Sequence, residues 1–230
     1  MKKSCFVFAV TATLLFCMSI STAMAKERPK DVGNVIRVLK EITAIKKERI
    51  PSELLQGAKG IAVFPGANKN DFMVSGRSVS GVLLAHDSEG TWSDPVFITL
   101  SGGTLGWQMV GEPMDIILVF KGKERVDAII KDKLYMDIKV KIQPGPLVKN
   151  VKTAAKEEPK TEINSYVRAR GAFADVSLAS TTVQIDHASN DAFYGKQKIS
   201  AADIVSGKNE NTSEEVKNLK KLLTGYAAGK

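Results

Sequence analysis

The chain has 230 residues, 33 lysines and arginines against 25 aspartates and glutamates, and two cysteines, Cys5 and Cys17. That length suits one domain with a sizeable core. With both cysteines in the first 17 residues, neither a disulfide framework nor a cysteine-built zinc site is available to the rest of the chain.

Residues 1–25 read as a cleavable signal peptide. Lys2 and Lys3 precede a mostly apolar run, Phe6 to Ile20, and Ala23-Met24-Ala25 places small residues before a cut ahead of Lys26. The expectation is an exported protein, periplasmic or secreted. Cys17 follows Leu14-Leu15-Phe16 rather than a small residue, which argues against a lipid anchor there.

Residues 32–47 carry Val32, Val35, Ile36, Leu39, Ile42 and Ile45 at three- and four-residue steps, the pattern of an amphipathic helix, with Asp31 as its expected N-cap. Arg37, Lys40, Lys46 and Lys47 fall on its other faces and Arg49 follows. The apolar stripe has two uses: docking on a sheet or insertion into a lipid headgroup region. Pro51 ends the helix, and Ser52 is the expected cap of a short turn from Glu53 to Gln56.

From Gly60 to Lys121 the pattern predicts strands over Ile61–Phe64, Phe72–Ser75, Val82–His86, Val96–Leu100, Leu105–Val110 and Ile116–Lys121, separated by turn chemistry. Connections this short leave no room for crossover helices, so the sheet is expected to be antiparallel. A helix is predicted over Glu124–Lys131. Leu134–Ile142 then alternates Met136, Ile138 and Val140 against Asp137, Lys139 and Lys141, a half-buried strand with a partly basic outer face. Residues 143–161 read as a loop, followed by strands at Ile163–Arg170, Phe173–Leu178 and Val183–His187. The tail, Glu214–Tyr226, is a basic amphipathic helix with Thr212 and Glu215 as a capping box. The expected division is residues 1–25 as signal, 26–207 as one domain and 208–230 as a C-terminal helix. The fold class is α+β, with a curved or barrel-like, mainly antiparallel sheet and amphipathic helices at both ends.

Catalytic signals are sparse. His86 and His187 lie in no metal-binding spacing. Gly76 and Gly81 have the separation of a phosphate-binding loop, but Val82-Leu83 stands where the lysine and hydroxyl must be. Asp186-His187 reads as a polar strand end, and Trp92 and Trp107 as core residues. No enzyme activity, cofactor, metal or nucleic-acid partner is expected.

Charge is unevenly spread. Residues 26–49 hold eight basic and four acidic side chains, residues 121–160 eleven and six, and residues 50–120 three and seven. Such polarity suits an anionic surface.

Several motifs in order resemble the SYLF domain, over roughly residues 35–205. They are Ile50-Pro51-Ser52-Glu53-Leu54-Leu55, Ala58 to Pro65, Gly81-Val82-Leu83, Trp92-Ser93-Asp94-Pro95, Ser101 to Gln108, Asp115 to Phe120, Gly145-Pro146, Tyr166 to Phe173, and Asn190-Asp191-Ala192-Phe193-Tyr194-Gly195. The chain departs from the usual pattern at Ser75–Gly81, Asn70-Asp71, Ala172–Asp175 and the lysine-rich stretch 147–161. The resemblance implies binding of anionic lipid, phosphoinositides in eukaryotic members, partly through the N-terminal helix, and actin binding in some members. The residues expected to meet lipid are Arg37, Lys40, Lys46, Lys47, Arg49, Ile36, Leu39, Lys139 and Lys141. The alternative is a cell-envelope structural or adaptor protein that binds another protein.

Overall fold

The computed structural model describes residues 31–44, 50–68, 78–87, 90–102, 113–136, 142–144, 163–169, 172–174, 178, 180–208 and 213–229. Helix α1 (Asp31–Ala44) and the short α2 (Ser52–Gly57) precede strands β1 (Gly60–Ala67), β2 (Val79–Ala85), β3 (Val96–Gly102) and β4 (Met114–Phe120). Helix α3 (Lys123–Lys131) leads to β5 (Lys133–Met136), β6 (Ile142–Pro144), β7 (Ile163–Ala169), β8 (Ala172–Ala174) and β9 (Thr181–Ile185). Helices α4 (His187–Tyr194), α5 (Ala201–Val205) and α6 (Glu214–Ala227) follow.

Seven strands pair antiparallel in the order β5-β9-β3-β2-β1-β4-β7, and this sheet curls into a half-barrel. The α+β class with a curved sheet is therefore the observed one. The sheet is mainly antiparallel, as expected; among the described residues one pairing, β6 with β7, is parallel. The chain between them, residues 145–162, is long enough to return β7 in the same direction, which the short upstream turns are not.

The central strands bury both faces, so Gly60–Phe64 of β1 and Ile116–Phe120 of β4 read as apolar runs. Side chains alternate across the sheet. Ala62, Phe64, Ile116 and Leu118 enter one core with Val126 and Ile129 of α3 and Ile204 of α5. Ile61, Val63, Ile117 and Val119 enter a second core with α1, α2 and α6. The C-terminal helix, set apart at residue 208 by the sequence pattern, thus completes the second core through Leu219, Leu223 and Tyr226. Trp92 packs there too, 1% exposed, whereas Trp107 lies outside the described residues.

Gly81 sits opposite Phe64, one step beyond the Val63–Val82 pair. A Cβ there would lie 2.3 Å from the Phe64 ring and 2.6 Å from the Val63 carbonyl oxygen. The glycine is required by close approach, not by phosphate chemistry.

Local boundaries differ from expectation in ways that capping explains. The α2 helix begins at Ser52 itself, with Pro51 in the cap position and no side-chain cap bond. The strand expected to reach His187 stops at Ile185. Asp186 instead caps α4, accepting from the Ser189 N–H at 3.0 Å and the Ser189 hydroxyl at 2.7 Å. Ser213, one residue past the expected Thr212, caps α6. The predicted strands Phe72–Ser75 and Leu105–Val110 lie outside the described residues.

Candidate functional site

The N-terminal and C-terminal helices form one layer on the sheet. Gly33, in the first turn of α1, lies beside the Glu215 carboxylate of α6. At the other end of α6, Gln56 Nε2 of α2 donates to the Ala227 carbonyl at 2.8 Å. The α1 stripe faces inward: Val32, Val35, Val38 and Leu39 are 0% exposed and Ile42 is 1% exposed. Of the two uses open to that stripe, docking is the one observed. Leu39, expected at a lipid contact, is a core residue here because the helix buries its apolar face against β1, β2 and α6. Ile36 is half-buried and packs on the edge of the same core.

The polar side of α1 is anchored by a small ionic network. Glu41 accepts from Arg168 Nη1 at 2.7 Å and from Arg37 Nη1 at 2.9 Å. Arg37 also approaches Asp115 at 3.7 Å, and Asp115 accepts the Gly66 N–H at 3.0 Å. The Arg168 hydrogen bond, seconded by Arg37, holds the Glu41 carboxyl below the usual carboxylate range. Arg168 is largely buried, its side chain 12% exposed, so its charge depends on this partner. Arg37 is therefore committed to holding α1 on the sheet as much as to facing solvent.

Lys40 is exposed and makes no ion pair among the described residues, and Lys221 of α6 is likewise exposed and unpaired among them. Lys217 is exposed and bonds Glu214 at 3.1 Å, while Lys220 is drawn to the buried Asp94 at 3.1 Å. Lys46, Lys47 and Arg49, and likewise Lys139 and Lys141, lie outside the described residues. The structure thus unites Lys40 with Lys217 and Lys221 on one helix layer, a grouping that no local sequence pattern reveals because α1 and α6 stand at opposite ends of the chain.

The histidines are placed apart. His86 stacks on Trp92 with ring centroids 4.3 Å apart, and its Nδ1 lies 2.9 Å from the Ala58 carbonyl. His187 is exposed in the first turn of α4. Among the described residues no cluster of three histidine, cysteine or acidic side chains is arranged to hold a metal. No helix among them is long and apolar enough to cross a membrane.

The motifs that resemble the SYLF domain fall on these elements: Ile50–Leu55 leads into α2, Ala58–Pro65 forms β1, Trp92–Pro95 precedes β3 and Asn190–Gly195 ends α4. The sequence model of the Ysc84 family, described as a Las17-binding protein actin regulator, matches residues 101–226, more than half of the chain. The chain belongs to this family, the SYLF domain family. It is 28% identical over 196 residues to the SH3 domain-containing YSC84-like protein 1 of Xenopus laevis, covering 83% of this chain and 58% of that protein. It is 29% identical to the protein of the same name from Homo sapiens over 79% of this chain and 54% of the relative. Protein YSC84 of Saccharomyces cerevisiae is 30% identical over 149 residues, 64% of this chain and 32% of its own length. The chain therefore spans little more than half the length of the first of these relatives.

Proposed function

We propose that the protein is exported and associates peripherally with anionic membrane surfaces through the charged outer side of the α1/α6 layer. The observation that carries this reading is the pair of exposed, unpaired lysines, Lys40 and Lys221, on two helices that share one core. Lys46, Lys47 and Arg49 follow α1 directly in the sequence and would extend the same charge. Each lysine or arginine near an anionic surface contributes about 1 kcal/mol.

Magnitudes decide between electrostatic docking and helix insertion. Freeing α1 would expose five fully buried aliphatic side chains, at roughly 1.5–3 kcal/mol each. That sum is comparable to the whole stability of a domain, about 5–15 kcal/mol. The folded protein is therefore proposed to bind by charge, without releasing its core. Co-sedimentation with vesicles tests this. Binding to anionic vesicles at low salt, weakening as the Debye length falls from ~30 Å at 0.01 M to ~8 Å at 0.15 M, is expected. Equal binding to neutral and anionic vesicles would sink it.

A second reading, a protein-binding module, is favoured by the family description as a Las17-binding actin regulator and by the similar yeast LAS seventeen-binding protein 3, 29% identical over 162 residues. On this reading the same helix layer, or a sheet edge, meets a protein, and anionic vesicles are not retained.

A further inference from the structure

One end of the sheet carries a face that the helix layer leaves bare. Phe97 of β3 and Val82 of β2 enter the second core. Side chains two residues apart along a strand return to the same side. Thr99 and Ser101 of β3 and Ser80 of β2 therefore point that way too, half-exposed or exposed. On β9 and β5 the inward residues Val183, Leu134 and Met136 belong to the first core, which turns Thr182, Gln184, Lys133 and Tyr135 outward onto the same face.

Strand register sets these side chains in two rows. Ser80 stands opposite Thr99, Thr99 opposite Gln184, and Gln184 opposite Lys133. Ser101 stands opposite Thr182, and Thr182 opposite Tyr135. With strands ~4.8 Å apart, the longer row runs about 14 Å.

The chemistry of the two rows differs from that of an ordinary solvated sheet. Charged side chains make up 25% of this chain, and they belong at the surface. Here Lys133 is the only one, and Asp132 lies 3.9 Å from its Nζ. The hydroxyls of Ser80, Thr99, Ser101 and Thr182 and the Gln184 amide make no side-chain hydrogen bond among the described residues. Each has donor and acceptor capacity to offer. Tyr135 is 54% exposed, the one large apolar side chain so exposed among the described residues. Its ring presents an apolar body with a polar tip. Neutral donors and acceptors in rows beside an aromatic ring match a neutral partner with hydroxyls at its edges and apolar ring faces, long enough to follow the row. An ionic partner would lose hydration there without gaining a counter-charge.

We infer that this face binds an extended, uncharged glycan chain, with Tyr135 stacked on one sugar ring and Ser80, Thr99 and Gln184 bonding the hydroxyls of its neighbours. The inference goes beyond the membrane reading and uses none of its residues.

Calorimetric titration of the purified chain with cellohexaose, chitohexaose and glucose tests it. A hexasaccharide is expected to bind, glucose far more weakly, and affinity should not change with salt because no charge pair is made. Tyr135→Ala removes an exposed ring, so melting should be unchanged while affinity falls about tenfold. Thr99→Val with Gln184→Ala, at positions outside both cores, should also weaken binding. Lys40→Ser with Lys221→Ser should leave it intact. Absence of binding to either hexasaccharide at millimolar concentration, equal affinity in Tyr135→Ala and in the Thr99/Gln184 double variant, or glucose binding as tightly as the chain would overturn the assignment. Binding confined to chitohexaose would identify an acetamido-bearing glycan and binding confined to cellohexaose an unsubstituted one, and either result supports the face.

Discussion

The side chain of Asn190 stands in for a β-strand at Phe97: its Oδ1 accepts the Phe97 N–H at 2.9 Å and its Nδ2 donates to the Phe97 carbonyl at 2.9 Å. β9 pairs with β3 only from Ile98 onward; beyond it the Asp186 N–H still reaches the Phe97 carbonyl at 3.0 Å, and Asn190 takes the Phe97 N–H. The same Nδ2 also donates to Asp186 O at 2.8 Å, tying α4 to its own cap. Asn190 is 0% exposed, so water cannot replace it.

Asn190→Ala removes the Asn190 acceptor from the buried Phe97 N–H, at about 1–3 kcal/mol, while the Phe97 carbonyl keeps the Asp186 N–H. A loss of roughly 1–3 kcal/mol is expected from urea unfolding. Asn190→Asp keeps the acceptor but directs a carboxylate at the Phe97 and Asp186 carbonyls, and it should be at least as damaging at neutral pH. A loss below 1 kcal/mol in both variants would show that the clamp is dispensable.

Glycine positions separate into two kinds. Gly81→Ala drives a methyl group against the Phe64 ring and the Val63 backbone, and overpacking of this type costs about 1–3 kcal/mol. Gly57→Ala, at the end of α2 with open space around it, should instead stabilise by about 0.4–1 kcal/mol. Thermal melts of the two variants should move in opposite directions.

The Glu41 network gives a pH signature. Its carboxyl is held below the ordinary value of 4.5 by Arg168 and then Arg37. The stabilisation is therefore fully present above that unfolded value and is lost as pH falls through the lower folded one. Glu41 is 39% exposed, so solvent screening keeps the contribution to about 1 kcal/mol or less. Glu41→Gln should unfold at lower urea than the parent at pH 7, and the two curves should converge in acid.

Charge removal and core damage are separable on α1. Lys40→Ser with Lys221→Ser should weaken anionic-vesicle binding by up to about 2 kcal/mol at low salt, near thirtyfold, without altering the melt. Leu39→Ser should lower stability by several kcal/mol because it places a hydroxyl in a packed core. Vesicle affinity and circular dichroism measured on the same samples distinguish these effects. A Leu39→Ser protein that melts like the parent would reopen the inserted-helix mechanism.

Much of the sheet is legible in the sequence because its signals are local. The runs Gly60–Phe64 in β1 and Ile116–Phe120 in β4 are continuous and apolar, and the α1 and α6 stripes repeat at helical spacing. Helix α4 is not legible in this way. Its buried residue, Asn190, is polar, and its burial is set by the distant Phe97 backbone. The boundary at Asp186 depends on a cap competing with a strand, and dipeptide chemistry alone does not decide that contest. The candidate site was only half readable: Lys40 stands out on a predicted helix, whereas its grouping with Lys221 is a tertiary fact. Leu39 carries the same pattern whether a helix docks or inserts, so periodicity leaves that choice to the structure.

The joining of α1 to α6 has a consequence for how the chain acquires its fold. Contacts such as Gln56 to Ala227 span 171 positions, and the second core is closed only when the last helix arrives. Contacts of such separation slow folding, because the loop between them must be ordered before they repay it. During synthesis the apolar side of α1 has only β1 and β2 to cover it until α6 has emerged, so the second core closes late. The first core, which takes no residue from α6, can form ahead of it, so the two faces of one sheet are completed at different times.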